Sequence, residues 1–142
     1  MNIEGELKLV LNYQWYDMIY AHIKGDEYRQ PTPYWIKRIF ARMEPFAPDG
    51  ERGPFRLTDK ECEDLAANID KLHAYVESGY LVPLHDDVTF QRAYTKSPEQ
   101  MTWSIKGITI GTGRPEWGAE KGRNYIVIAL EEMVNTRNRG KK

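Results

Sequence analysis

Lys24, Glu27 and Arg29 fall within six positions, where the helical pattern of residues 18–23 gives way to the charged run Asp26-Glu27-Tyr28-Arg29. If that run is extended, the period of two puts Glu27 and Arg29 on one face, and the Lys24 amine arrives from the helix end. A carboxylate held between a point-charge ammonium and a planar guanidinium fork can bind an anion or polarise a polar heterocycle. The same spacing also suits a plain ion pair on a wet strand edge, which contributes little energy.

The other chemistry-bearing residues are more scattered. His22 shares a stripe with Trp15, Met18, Ile19 and Ile23 and has no second ligand at metal spacing, so it reads as a packing residue. In His85-Asp86-Asp87 adjacent side chains point apart, and a solvated turn is the simpler reading. Cys62 is the single cysteine, which excludes an intrachain disulfide, and it sits in a helical pattern with no base to activate it. Gly111-Thr112-Gly113-Arg114-Pro115-Glu116-Trp117-Gly118 lacks the third glycine and the strand-to-helix setting of a dinucleotide loop. Its glycines fit tight turns that present Arg114, Glu116 and Trp117 at a rim. No metal and no cofactor is expected.

Several elements must position these residues. Leu7, Leu9 and Leu11 alternate with Lys8 in a first strand over 6–11. A short helix over 14–23 is expected to stop at Gly25, and a second strand follows over 27–30. Thr32 and Pro33 open a second helix, with Trp35, Ile36, Ile39, Phe40 and Met43 inward and Lys37, Arg38 and Arg42 outward. Residues 44–56, rich in Pro and Gly, predict a mobile surface loop. Thr58 and Glu61 form a capping-box pair ahead of one long helix through Leu65, Ala66, Ile69, Leu72, His73 and Val76, ending at Gly79. Three strands are expected over 87–94, 101–110 and 123–130, the last alternating through Tyr125, Val127 and Ala129. Helices inserted early and midway among about five or six strands predict an α+β fold with a mixed, barrel-like sheet and flanking helices. The reading is a single domain over 1–134 with a helical insertion around 44–80, and a basic frayed tail over 135–142.

Lys and Arg number 20 against 21 Asp and Glu, so any pull on nucleic acid must come from a local patch, such as Lys24, Arg29, Lys37, Arg38 and Arg42. Four Trp and nine Tyr flank many of these basic residues, which suits base stacking as well as packing. No charged leader precedes a long apolar run, and nowhere do eighteen apolar residues occur in succession, so a cytoplasmic protein with no membrane partner is expected.

The run from Trp15 to Ile19, followed by Lys24-Gly25-Asp26-Glu27-Tyr28-Arg29, resembles the ASCH domain pattern, in which a helix ends in a G-x-K-x-x-[TE]-x-R signature that leads into a strand. The stretch from Ile108 to Leu130, with its PEWGA segment, is similar to the C-terminal half of small ASCH-like proteins of bacteria and their phages. His22 departs from the signature, standing where it has glycine. The resemblance implies a PUA-like β-barrel with a cleft, and RNA, a nucleotide or a modified nucleoside as partner. Lys24, Glu27 and Arg29 would then bind ligand, and Trp35, Tyr94, Trp103 or Trp117 would stack on a base, with Arg114 at the rim. Some small members of that superfamily are amidohydrolases acting on N4-acetylcytidine; Lys24, Glu27 and Glu116 would be the catalytic groups here. Glu27 replaces the threonine hydroxyl those enzymes use, so it would have to activate water as a general base. A third reading is a non-catalytic interaction protein of phage or mobile-element origin, docking a partner on its basic second helix.

Overall fold

The computed structural model describes residues 6–43 and 53–139. Leu7, Leu9 and Leu11 are all buried and Lys8 is exposed, so Leu7–Leu11 forms strand β1 as its alternation predicts. Helix α1 (Tyr13–Tyr20) follows, capped by the Asn12 side chain, which accepts from the Trp15 amide at 3.1 Å. Its buried residues are Tyr16 and Ile19, whereas His22 and Ile23, expected on the same stripe, are exposed because the helix has already ended.

Strand β2 (Asp26–Arg29) begins one residue earlier than predicted, and helix α2 (Pro33–Ile39) starts at the expected Thr32 cap and Pro33. The chain passes directly into β3 (Phe40–Arg42). The mobile loop expected over 44–56 lies mostly outside the described residues, and its end, Phe55–Arg56, is strand β4. The capping box at Thr58 and Glu61 is present, yet the single long helix is two: α3 (Asp59–Ala66) and α4 (Ile69–Glu77). Asn68 causes the break, since its side chain accepts from the Lys71 amide at 3.1 Å and starts α4 as a new helix. His73, placed on the apolar stripe by periodicity, is exposed and lies 3.4 Å from Glu77.

After β5 (Leu81–Pro83) come β6 (Asp87–Arg92), β7 (Gln100–Thr112) and β8 (Asn124–Arg137). In β8 it is Ile126 and Ile128 that are fully buried, the opposite parity to Val127 and Ala129. The strand also runs through residues 135–137, where a frayed tail was expected. Beyond it, the Asn138 side chain donates to the Pro98 carbonyl at 3.0 Å, and Arg139 pairs with Glu99 at 3.3 Å.

The strands form two sheets. One has the order β1-β6-β7-β8-β2, with β1 parallel to β6 and every other pair antiparallel; the other is antiparallel with the order β4-β3-β5. The mixed α+β architecture is therefore as predicted, but the large sheet ends at the edges β1 and β2, and the strands flanking the helical segment pair among themselves. The result is an open sheet, not the closed barrel of the sequence reading. The β7–β8 hairpin joins its two halves: β6 pairs along residues 100–104 of β7, and β2 pairs along residues 126–129 of β8. Register shifts between Thr102 and Gly107 separate those halves, and bulges of this kind bend a sheet. α4 covers β7, and the buried side chains of both sheets and all four helices share one core.

Candidate functional site

The end of α1 sets the site. His22 takes the left-handed conformation (φ 62°), its amide donates to the Ile19 carbonyl at 3.0 Å, and the Ile23 amide donates to the Met18 carbonyl at 2.9 Å. These are the two bonds of a Schellman motif, so the helix is terminated at His22 and not at Gly25. The His22 ring packs edge-on against Trp103 with centroids 5.1 Å apart. Past this turn the chain enters β2, where Glu27 faces Ile128 and Arg29 faces Ile126 across the ladder. The Gly25 carbonyl accepts from the Leu130 amide at 3.0 Å and ties down the entry to the strand.

The three predicted residues meet. Lys24 Nζ donates to Glu27 Oε1 at 2.6 Å and to the Asp26 backbone carbonyl, and Arg29 Nη2 donates to Glu27 Oε2 at 3.0 Å. Exposure rises along the chain of charges: 0% for the Lys24 side chain, 9% for Glu27 and 19% for Arg29. Burial pushes the Lys24 amine below the ordinary lysine range, against the pull of the Glu27 carboxylate. The Arg29 guanidinium lies 4.9 Å from the Trp35 ring, and among the described residues its Nε–H is buried with no hydrogen-bond partner. A partnerless buried donor on a charged group is costly and rare.

The turn after β7 closes onto this region. The Arg114 amide donates to the Tyr28 hydroxyl at 3.0 Å, and a Cβ added at Gly113 would meet the Tyr28 ring and Ala119 at 2.7 Å. Gly118 has φ 101°, and the Trp15 indole lies 3.0 Å from where its Cβ would be. Between these glycines the 3-10 turn Pro115–Trp117 brings the Trp117 ring to 4.0 Å from the Cβ position of Gly25. Arg114 sits over Trp117 at 4.6 Å and 4.0 Å from Glu116.

No family model, curated protein or solved structure matches this chain.

Lys24, Glu27, Arg29 and Trp35 form one cluster, and Arg114, Glu116 and Trp117 flank it through Tyr28 and Gly25. Two predicted stacking residues stand apart. Trp103 is a core residue, 4% exposed, whose indole N–H donates to the Met101 sulfur at 3.2 Å. Tyr94 is 86% exposed in the β6–β7 connection, and no contact described here ties it to the cluster. Tyr28 and Trp15, which anchor the turn, were missed. The only sequence signal for them was the pair of glycines at 113 and 118, which announces a close approach without naming what approaches.

The arrangement limits the chemistry. The Lys24 ammonium is sealed, so it orients Glu27 instead of touching a ligand. Both Glu27 oxygens already accept from cations, which leaves Arg29 as the group that reaches the surface. Two cations expected on the second helix are engaged by α3: Lys37 of α2 with Asp59 at 2.6 Å, and Arg42, which lies in β3 and not on the helix, with Glu61 at 2.9 Å. Cys62 is buried, and burial raises its thiol above the ordinary range, which disfavours the reactive thiolate. Among the described residues no group of three His, Cys, Asp or Glu side chains is placed to hold a metal ion, and no helix is long and apolar enough to cross a membrane.

Proposed function

We propose that this protein is an ASCH-like, PUA-related module that binds RNA or a nucleotide at Arg29, with Trp35 as the aromatic surface beside it and Trp117 as a second one near Gly25, at the entry to the same strand. The observation that carries the reading is the Arg29 guanidinium: held by Glu27, packed on Trp35, and 19% exposed at the end of a buried chain of charges. A fixed planar fork beside an aromatic ring suits a phosphate oxygen or a base edge, because the geometry is set before the ligand arrives. Lys24 and Glu27 act as positioning residues.

The amidohydrolase reading has less support. An oxyanion has no route to a fully buried Lys24, and each Glu27 oxygen already accepts a hydrogen bond from a cation. Glu116 lies at the rim, paired loosely with Arg114.

The test is retention of a short oligoribonucleotide by the purified protein across a salt series. Affinity should fall as salt rises, and Arg29→Ala should weaken binding about tenfold or more, the worth of a hydrogen bond to a charged group. Equal retention by Arg29→Ala and by the unaltered protein would remove the proposal.

A further inference from the structure

The cations and rings around Arg29 continue past Trp35. The Arg29 guanidinium lies 4.9 Å from the Trp35 ring, the Trp35 and Tyr34 rings meet edge to face with centroids 4.9 Å apart, and the Arg38 guanidinium lies 3.6 Å from the Tyr34 ring centre. Cation, ring, ring and cation thus follow one another from the end of β2 along α2. The local sequence builds this ladder. Pro31 and Pro33 restrict the backbone between the two elements. The Thr32 amide donates to the Gln30 carbonyl at 2.8 Å and the Trp35 amide to Thr32 Oγ1 at 3.3 Å, which fixes the first turn of α2 beside Arg29. Tyr34 and Arg38 are four residues apart, so they share one helix face, one turn apart.

The two ends of the ladder differ in access. The Arg29 side chain is largely buried, whereas Tyr34 is 54% exposed and Arg38 is exposed. Lys37 is engaged by Asp59 at 2.6 Å, while Arg38 rests on the Tyr34 ring, which limits the swing of a long surface side chain. A groove of about 370 Å³ opens beside this pair, lined from α2 by Tyr34, Lys37 and Arg38 and from α3 by Asp59 and Glu63. The carboxylates of α3 repel phosphate, so a strand lying here carries its backbone on the Arg38 side.

We propose that the ligand of the Arg29 site is a single-stranded RNA segment of at least two nucleotides. The proposal rests on the reading of Arg29 given above and adds a second step to it. One nucleotide sits at Arg29 and Trp35; the next stacks its base on the Tyr34 and Arg38 pair, and the donors at the edge of the Arg38 guanidinium meet its phosphate. Rings and guanidinium planes accept any base, so this second step is tolerant of sequence.

The experiment compares adenosine 5′-monophosphate with the diadenylate pApA by calorimetric titration of the full chain, and reads the ratio of the two affinities. The unaltered protein should hold the dinucleotide about tenfold more tightly, the worth of one stacked base. Tyr34→Ala and Arg38→Ala should each bring the ratio close to one; both side chains are exposed, so the core stays intact. Arg38→Ala should also lower the salt slope of dinucleotide binding by about 0.7, the share of one phosphate contact on a single strand, whereas Arg38→Lys should keep the slope and lose part of the ratio. Equal affinity for the two lengths, with both abolished by Arg29→Ala, overturns the second step and leaves the Arg29 site standing. A ratio that survives Tyr34→Ala and Arg38→Ala also overturns it, because the second nucleotide then lies elsewhere. Binding of neither ligand, or binding indifferent to Arg29→Ala, removes the Arg29 reading and this proposal with it.

Discussion

Glu27 holds the candidate site together because each of its oxygens satisfies a different cation. Replacing it with glutamine leaves the Lys24 ammonium buried without a counter-charge, and removing one partner of a buried pair costs about 3 kcal/mol or more. Urea unfolding of Glu27→Gln should show that loss, and a change within about 0.5 kcal/mol would mean Lys24 is not charged in the folded protein. Tyr16 supplies an independent check on how dry the interior is. Its hydroxyl is buried without a hydrogen-bond partner among the described residues; burial, reinforced by the nearby Glu99 carboxylate, lifts the phenol far above its ordinary value of 10.0. The folded state keeps that proton where the unfolded chain releases it, so the contribution is complete below pH 10.0 and is lost as pH rises from there toward the folded value. Tyr16→Phe should flatten that alkaline decline in stability while changing neutral stability little; an unchanged slope between pH 10 and 11 would show that Tyr16 titrates normally. At this scale the sequence was informative. The spacing of Lys24, Glu27 and Arg29 forced their convergence once residues 26–29 were extended, but nothing in the spacing could say that the lysine would be sealed and the arginine left at the surface.

The turn between β7 and β8 is shaped by what it touches. Gly113 must lack a side chain because the Tyr28 ring and Ala119 occupy the space, and the Tyr28 hydroxyl is itself fixed by the Arg114 amide. Gly113→Ala should cost about 1–3 kcal/mol and loosen Trp117 from Gly25. Its amide exchange at Arg114 should rise relative to the unaltered protein, and full retention of protection there would contradict the tether. Sequence reading of elements failed where a side chain intervened locally. His22 bends into a conformation glycine normally supplies, so α1 ends before Gly25. Asn68 likewise caps a helix in the middle of an unbroken apolar stripe, which periodicity does not register. In β8 both Tyr125 and Ile126 are buried, and a strand covered on both faces carries no clear alternation to read.

Across the molecule, the mixed α+β class followed from element order and period, whereas sheet closure and the strand count did not: about five or six strands in one barrel-like sheet were expected, and the described residues form eight in two sheets. Whether β1 meets β2 depends on long-range pairing, and here the helical segment draws β3, β4 and β5 into a sheet of their own. The Arg29 cluster sits at edge strand β2 of the large sheet. Lys37 of α2 and Arg42 of β3 pair with Asp59 and Glu61 in the acidic first turn of α3, which is why counting Lys and Arg along the sequence overstated the patch. The most direct measurement uses the four tryptophans, whose indole N–H signals are few enough to follow singly. On titrating a nucleoside monophosphate or a short RNA, the Trp35 and Trp117 signals should shift together, the core Trp103 signal should hold, and Arg29→Ala should abolish the response. Stationary Trp35 and Trp117 signals with every such ligand, or shifts that survive Arg29→Ala, would contradict recognition at Arg29.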